Sequence, residues 1–177
     1  FLSFLGTAII NFVNFLDCLN GLITSTLLIV FLTLSLEYHT LIPLILSLIC
    51  FLLFNWNPAK LFMGDAGSTF LGAVFFSLVI DTNQIDILIS RVLLISPLLL
   101  DAISCICLRY LYGFNIFKAH KMHLAQRLYL AGWSHEKVTL LYIFLTLLMS
   151  FSYLYANLYL SIILCFIMFV FGIFLDR

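Results

Sequence analysis

Residues able to do chemistry gather in three short stretches of an otherwise apolar chain. Residues 57–69 read N-P-A-K-L-F-M-G-D-A-G-S-T, a glycine-punctuated interruption carrying one carboxylate, Asp65, between two long apolar runs. A charge beside hydrocarbon costs about 2.5–3.5 kcal/mol unless something cationic holds it, so Asp65 calls for a metal ion or a Lys/Arg partner. Ser68 or Thr69 is expected to cap the apolar helix that follows, with the glycines turning backbone N–H groups toward a ligand. Exposed amides at a helix start suit phosphate, and a carboxylate beside phosphate suits Mg²⁺ between them, with Mn²⁺ as a substitute. The competing reading is a plain helix cap with Asp65 paired to Lys60.

In the second stretch Asn11, Asn14 and Asp17 recur every third residue, which lays two amides and a carboxylate along one helical stripe. Such a stripe suits hydrogen bonding to a polar ligand, and equally helix-to-helix hydrogen bonding. In the third, His120, His123 and Arg127 fall at spacings of three and four, a donor-rich face if helical. No carboxylate or cysteine completes a zinc set and H-E-x-x-H is absent, so the donors fit a diphosphate better than a metalloprotease centre. Asp101, eight residues before Arg109, reads as a supporting carboxylate or as one member of a pair with a basic residue. His39 and His135 read as surface residues, and the five cysteines as small buried hydrophobes.

The elements that must position these groups follow from composition. With 64% apolar and 9% charged residues and a mean hydropathy of +1.21, the chain falls outside the range of soluble domains. Zero net charge and the lack of a basic block exclude nucleic-acid binding. Apolar runs at 1–16, 22–36, 41–54, 69–80, 87–108, 138–155 and 158–175 predict seven spans of an all-α, polytopic transmembrane helical bundle. The opening run lacks the marks of a signal peptide, so the chain is expected to be a fragment: one membrane-embedded domain over 1–177, incomplete at its N-terminus.

Alternating the spans places Lys60, Arg109, Lys118, Lys121, Arg127, Lys137 and Arg177 on one side and leaves Arg91 alone on the other. That distribution makes the first side cytoplasmic. The same parity puts all three polar stretches on that face, together with loops 55–68 and 109–137.

These stretches, in this order, resemble the polyprenyl-phosphate N-acetylhexosamine-1-phosphate transferases. Asn11-x-x-Asn14-x-x-Asp17-x-x-Asn20-Gly21-Leu22 is similar to the family's N-x-x-N-x-x-D-G-x-D-G-L, and residues 62–68 to its F-M-G-D-x-G-S. Residues 119–128 resemble its cytoplasmic His-rich loop in the form used by O-antigen-type initiating transferases, followed by a matching Gly132-Trp133-Ser134. Cys18 and Asn20 depart from the pattern, standing where it has Gly and Asp. Gln126 and Arg127 stand where many relatives carry histidine.

The resemblance implies transfer of a phospho-N-acetyl sugar from a UDP-sugar to undecaprenyl phosphate, giving undecaprenyl-diphospho-sugar and UMP, at the cytoplasmic face of a bacterial inner membrane. Asp65 would hold Mg²⁺; Asn11, Asn14 and Asp17 would line the nucleotide-sugar pocket; His123, with His120 and Arg127, would contact the diphosphate. Asp65, Asp17 and His123 would carry catalysis. The family's Asp-Asp motif is expected upstream, so a fragment of this extent would lack a complete site by itself. A homodimer is left open. The alternatives are a non-catalytic remnant or a transporter fragment, although a transporter would place its charges near the bilayer midplane.

Overall fold

The computed structural model describes residues 2–111, 113 and 123–175, and all regular structure among them is helical. The elements are α1 (Leu2–Phe15), α2 (Leu22–Leu34), a 3₁₀ turn (His39–Leu41) leading into α3 (Ile42–Asn55), α4 (Gly64–Ile80), α5 (Ile85–Leu94), α6 (Ser96–Leu111), α7 (Leu124–Leu130), α8 (His135–Tyr155) and α9 (Leu158–Leu175). Apolar all round and folded on one another, they form a membrane helical bundle.

The seven expected spans are all found as helix, but not all as full crossings. Among the described residues only α8 and α9, at 21 and 18 residues, are long and apolar enough alone. The shorter α1 to α4 run 13 to 17 residues. Thirteen residues rise about 20 Å, against a hydrocarbon core of about 30 Å.

The single span expected over 87–108 is two helices meeting at 78°. Pro97, the second residue of α6, has no N–H to give to the turn before it, so α5 cannot continue through. The backbone re-starts at Ile95, whose carbonyl accepts from Leu98 and Leu99, both at 3.0 Å.

A second difference concerns α4. It begins at Gly64 rather than at Ser68 or Thr69, so Asp65 lies inside the first helical turn, where a carboxylate complements the helix dipole. Ser68 and Thr69 turn their hydroxyls back on the carbonyls of Gly64 and Asp65 instead of capping. The expected 109–137 loop likewise contains α7 and the first turn of α8.

The central helix is α2, buried on nearly every side. Its Thr24 gives its hydroxyl to the Asn55 side chain, while Ser25, Thr26 and Thr33 return theirs to carbonyls three or four residues back, which spares an apolar interior unpaired donors. Against this axis α1 and α4 lie side by side at very close range. A Cβ added to Gly72 would sit 3.0 Å from the Ile10 Cα, and one at Gly6 would meet the Phe76 ring at 2.5 Å. At Gly72 a larger residue would push the two backbones apart, and at Gly6 it would displace the Phe76 ring.

At the end of the bundle away from the polar stretches, buried Arg91 donates to Glu37 Oε2 at 2.7 Å, to the Leu78 carbonyl at 2.6 Å and to the Asp81 carbonyl at 3.0 Å. Tyr153 donates to the other Glu37 oxygen at 2.6 Å, and the guanidinium lies 5.2 Å from the centre of the Tyr38 ring. The one basic residue that charge counting assigns to this side thus ties α2, α4, α5 and α8 together. Arg91→Leu is expected to cost about 2 kcal/mol, the scale of a lost charged hydrogen-bond set with one partly exposed member. The fall should be read as a lower thermal midpoint of the detergent-solubilised protein; an unchanged midpoint would contradict the assignment.

Candidate active site

Because α1 and α4 run so close, the last turn of α1 meets the first turn of α4. Asn14 Nδ2 donates to Asp65 Oδ1 at 3.2 Å and to Ser68 Oγ at 2.9 Å. Ser68 is fully buried, whereas Asp65 is exposed at the helix start. Asp17 lies in the turn that ends α1, its backbone N–H donating to the Asn14 carbonyl at 3.2 Å. Its carboxyl is pushed up to about 6, first by burial and then by the negative charge of Asp65. The two carboxylates therefore sit within electrostatic reach of each other. Asn11 is not drawn in: it is exposed, and its amide donates to the Thr7 carbonyl of its own helix at 2.9 Å.

The next residues of the same turn reach the third stretch. The Cys18 thiol is pushed up to about 12 by burial and then by the charges of Asp101 and Asp17, and it shares a hydrogen bond with the Gln126 side chain of α7. It is an inert sulfur packed where α1, α6 and α7 meet. Asp101, buried in α6, accepts from the Leu124 N–H at 2.6 Å, the Ala125 N–H at 3.1 Å and the Tyr142 hydroxyl at 2.6 Å. His123 is buried beside it, with Nδ1 3.5 Å from Asp101 Oδ1. Asp101 thus has a basic neighbour as expected, but its hydrogen bonds go to the start of α7 and to α8. Nothing local in sequence signals this, because its partners lie 23 to 41 residues away.

Arg127, on α7, lines with Asp101 and Tyr142 a cavity of about 430 Å³ otherwise walled mainly by apolar side chains of α6, α8 and α9. His120 lies outside the described residues.

A scaffold of amides fixes the turn that carries Asp17. Gly21, at φ +75°, donates its N–H to Asn55 Oδ1 at 3.1 Å, and Thr24 donates to the same oxygen at 2.7 Å. Asn20 donates its side chain to Asn57 Oδ1 at 3.0 Å and its backbone N–H to His135 Nδ1 at 3.3 Å, while Thr139 donates to its carbonyl at 3.1 Å. Asn57 in turn donates to Glu136 at 2.6 Å. His135, expected as a plain surface residue, is therefore a structural partner, packed edge-on against Tyr129 with ring centres 4.5 Å apart. Asn20, which departs from the family pattern, is spent on holding the turn.

The donor set at the α1–α4 junction is hard oxygen: two carboxylates, the Asn14 amide and the Ser68 hydroxyl. Among the described residues no three His, Cys, Asp or Glu side chains group as metal ligands. Two carboxylates completed by substrate phosphate oxygens and water are what Mg²⁺ ordinarily uses, so these residues fit that ion.

Comparison with known proteins identifies the family. The family model described as Glycosyl transferase family 4 matches residues 1–83. The chain is similar to the phospho-N-acetylmuramoyl-pentapeptide-transferase of Carboxydothermus hydrogenoformans, 32% identical over 157 residues, which cover 82% of this chain and 47% of that protein. It is also similar to those of Staphylococcus aureus (35% over 147 residues; 78% of this chain, 45% of that one) and Fervidobacterium nodosum (34% over 138 residues; 72% and 43%). The chain spans about half the length of the curated relatives it matches. By these relatives the chain belongs to the polyprenyl-phosphate N-acetylhexosamine-1-phosphate transferase family.

Proposed function

We propose that the full-length protein transfers a phospho-N-acetyl sugar from a UDP-sugar to undecaprenyl phosphate, releasing UMP and starting a cell-envelope glycan, at the cytoplasmic face of a bacterial inner membrane. The observation that carries this reading is the junction of α1 with α4, where Asn14, Asp17, Asp65 and Ser68 meet beside a turn that also touches α7. The names of the similar proteins and the clustering of basic residues on that side support the substrate class and the orientation.

Phosphoryl-group transfer leaves little covalent work to the protein, so its residues act by alignment and charge neutralisation. Asp65 and Asp17 are the residues that would hold Mg²⁺, which when bound offsets the repulsion between two phosphate-bearing substrates. Asn14 orients the Asp65 carboxylate by donating to Oδ1, one of its two oxygens. Gln126 accepts from the His123 backbone N–H at 3.3 Å and so steadies the residue that would meet the diphosphate together with Arg127. The apolar cavity that Arg127 lines, open to a lipid-soluble chain, suits an isoprenoid acceptor whose phosphate stays near the polar end.

Asp65→Asn in the full-length protein is expected to abolish Mg²⁺-dependent UMP release, by about 10²-fold or more, while membrane insertion is retained. Normal release would refute the metal assignment. Parallel assays with UDP-N-acetylglucosamine and UDP-N-acetylmuramoyl-pentapeptide then identify the sugar, and turnover of neither would refute the activity.

Asp17 yields a pH prediction. Its folded-state value, about 6, lies above the ordinary 3.8, so the folded protein binds this proton more tightly than the unfolded chain and loses stability as pH rises from about 4 to 6. In metal-free protein Asp17→Asn should therefore stabilise more at pH 7.5 than at pH 4.5, measured as the difference in thermal midpoint from wild type. A difference independent of pH would contradict the raised carboxyl of Asp17, whose first cause is burial.

A further inference from the structure

We propose that Glu136 and Asn57 are positioning residues that fix the direction of a side-chain bridge ending on Asn20, and that Asn20 stands where the family pattern has Asp because this bridge requires a donor there. What the turn held by Asn20 serves rests on the function proposed above; the direction of the bridge rests on hydrogen-bond chemistry alone.

The bridge joins three separate parts of the chain. Asn20, three residues after Asp17, donates its side-chain NH₂ to Asn57 Oδ1 at 3.0 Å, and Asn57 donates its own NH₂ to Glu136 Oε1 at 2.6 Å. Asn57 lies in the loop between α3 and α4, eight residues before Asp65, and Glu136 is the second residue of α8. One amide thus links the turn of one carboxylate to the lead-in of the other, with α8 as the anchored end.

The direction is set at Glu136. A carboxylate in the first turn of a helix is stabilised as the anion by the peptide dipoles, and an anion can only accept. The Ser134 hydroxyl is a further side-chain partner of this carboxylate, and it too can donate. Asn57 must therefore turn its NH₂ to Glu136, which leaves its carbonyl oxygen for residue 20, and that position must donate. Asn does so; a carboxylate there would set acceptor against acceptor. The backbone of Asn20 is tied to the same helix, its N–H donating to His135 Nδ1 at 3.3 Å and its carbonyl accepting from the Thr139 hydroxyl at 3.1 Å. With both backbone groups held, a mismatched side chain at 20 either loses its partner or drags the turn that carries Asp17.

Glu136 and residue 20 are thus a matched pair, read through Asn57. Asp becomes acceptable at 20 once position 136 can donate, because Asn57 then reverses, giving its NH₂ to the carboxylate and its oxygen to the new donor.

The test is a mutant cycle on the thermal midpoint of the metal-free, full-length protein in detergent, which needs no substrate. Asn20→Asp should lower the midpoint by about 2 °C, the scale of one frustrated hydrogen bond. Glu136→Gln should be nearly silent alone, because its amide can still accept through oxygen, and should erase most of the Asn20→Asp loss when the two are combined. In an Asn57→Ala background the bridge is cut, and the two changes should simply add. An Asn20→Asp loss that is the same with and without Glu136→Gln overturns the proposal. So does a rescue that persists in Asn57→Ala, which would be relief of like charge instead of a matched bridge.

Mn²⁺ affinity, titrated by electron paramagnetic resonance, reads the positioning itself. It should fall about tenfold in Asn57→Ala and stay within about twofold of wild type in Glu136→Gln. Unchanged affinity in Asn57→Ala would show that the bridge does not position the turn of Asp17 and overturn that role. Wild type that binds no Mn²⁺ would instead refute the metal site proposed above, and the midpoint cycle would still decide the bridge.

Discussion

The approach of α1 to α4 is the constraint on which the site depends. The α4 backbone comes so near α1 because Gly72 leaves out a side chain against Ile10 and Gly6 leaves room for the Phe76 ring, and the consequence appears one or two turns further on, where Asn14 reaches Asp65 and Ser68. Wider spacing would leave the Asn14 amide and the buried Ser68 hydroxyl to find other partners in an environment poor in them. The polar contact at the helix ends and the apolar contact along the helix bodies therefore support each other.

Charge is handled differently at the two ends of the bundle. At one end Glu37 is matched by Arg91, and backbone carbonyls and Tyr153 complete the set, so that region is an internally balanced clamp. At the other, Asp17 lies within reach of Asp65, and burial together with that like charge raises its carboxyl to about 6. A fold that accepts carboxylate repulsion in one place while neutralising charge carefully in another favours a cation at the first. The amide scaffold around Asn20, Asn55 and Asn57 gives that turn a fixed shape, so the carboxylates remain together when no cation offsets them.

Much of this was legible in the sequence because its signals are local. Residues 11–22 and 62–68 carry their spacing within a turn or two of helix, and apolar runs mark every helix between them. The 78° break was equally local: Pro97 stands in plain view, but an unbroken apolar run masks it. The start of α4 at Gly64 escaped because Ser68 and Thr69 are good capping residues that here bond backwards along the helix. Asp101 and His135 could not be placed from spacing at all. Their partners come from α7, α8 and the turn after α1, and only the tertiary fold brings these together.

The central claim is that a divalent ion sits on Asp65 and Asp17 at the same end of the bundle as α7, and Mn²⁺ tests it most directly. Added to nitrogen-15-histidine-labelled full-length protein, Mn²⁺ should broaden the signals of His123 and His135 by paramagnetic relaxation. His39, beyond the far end of α2 and about 20 Å of helix away, should be spared. Asp65→Asn should abolish the selectivity. Equal broadening of all three histidines, or broadening that persists without Asp65, would contradict the account.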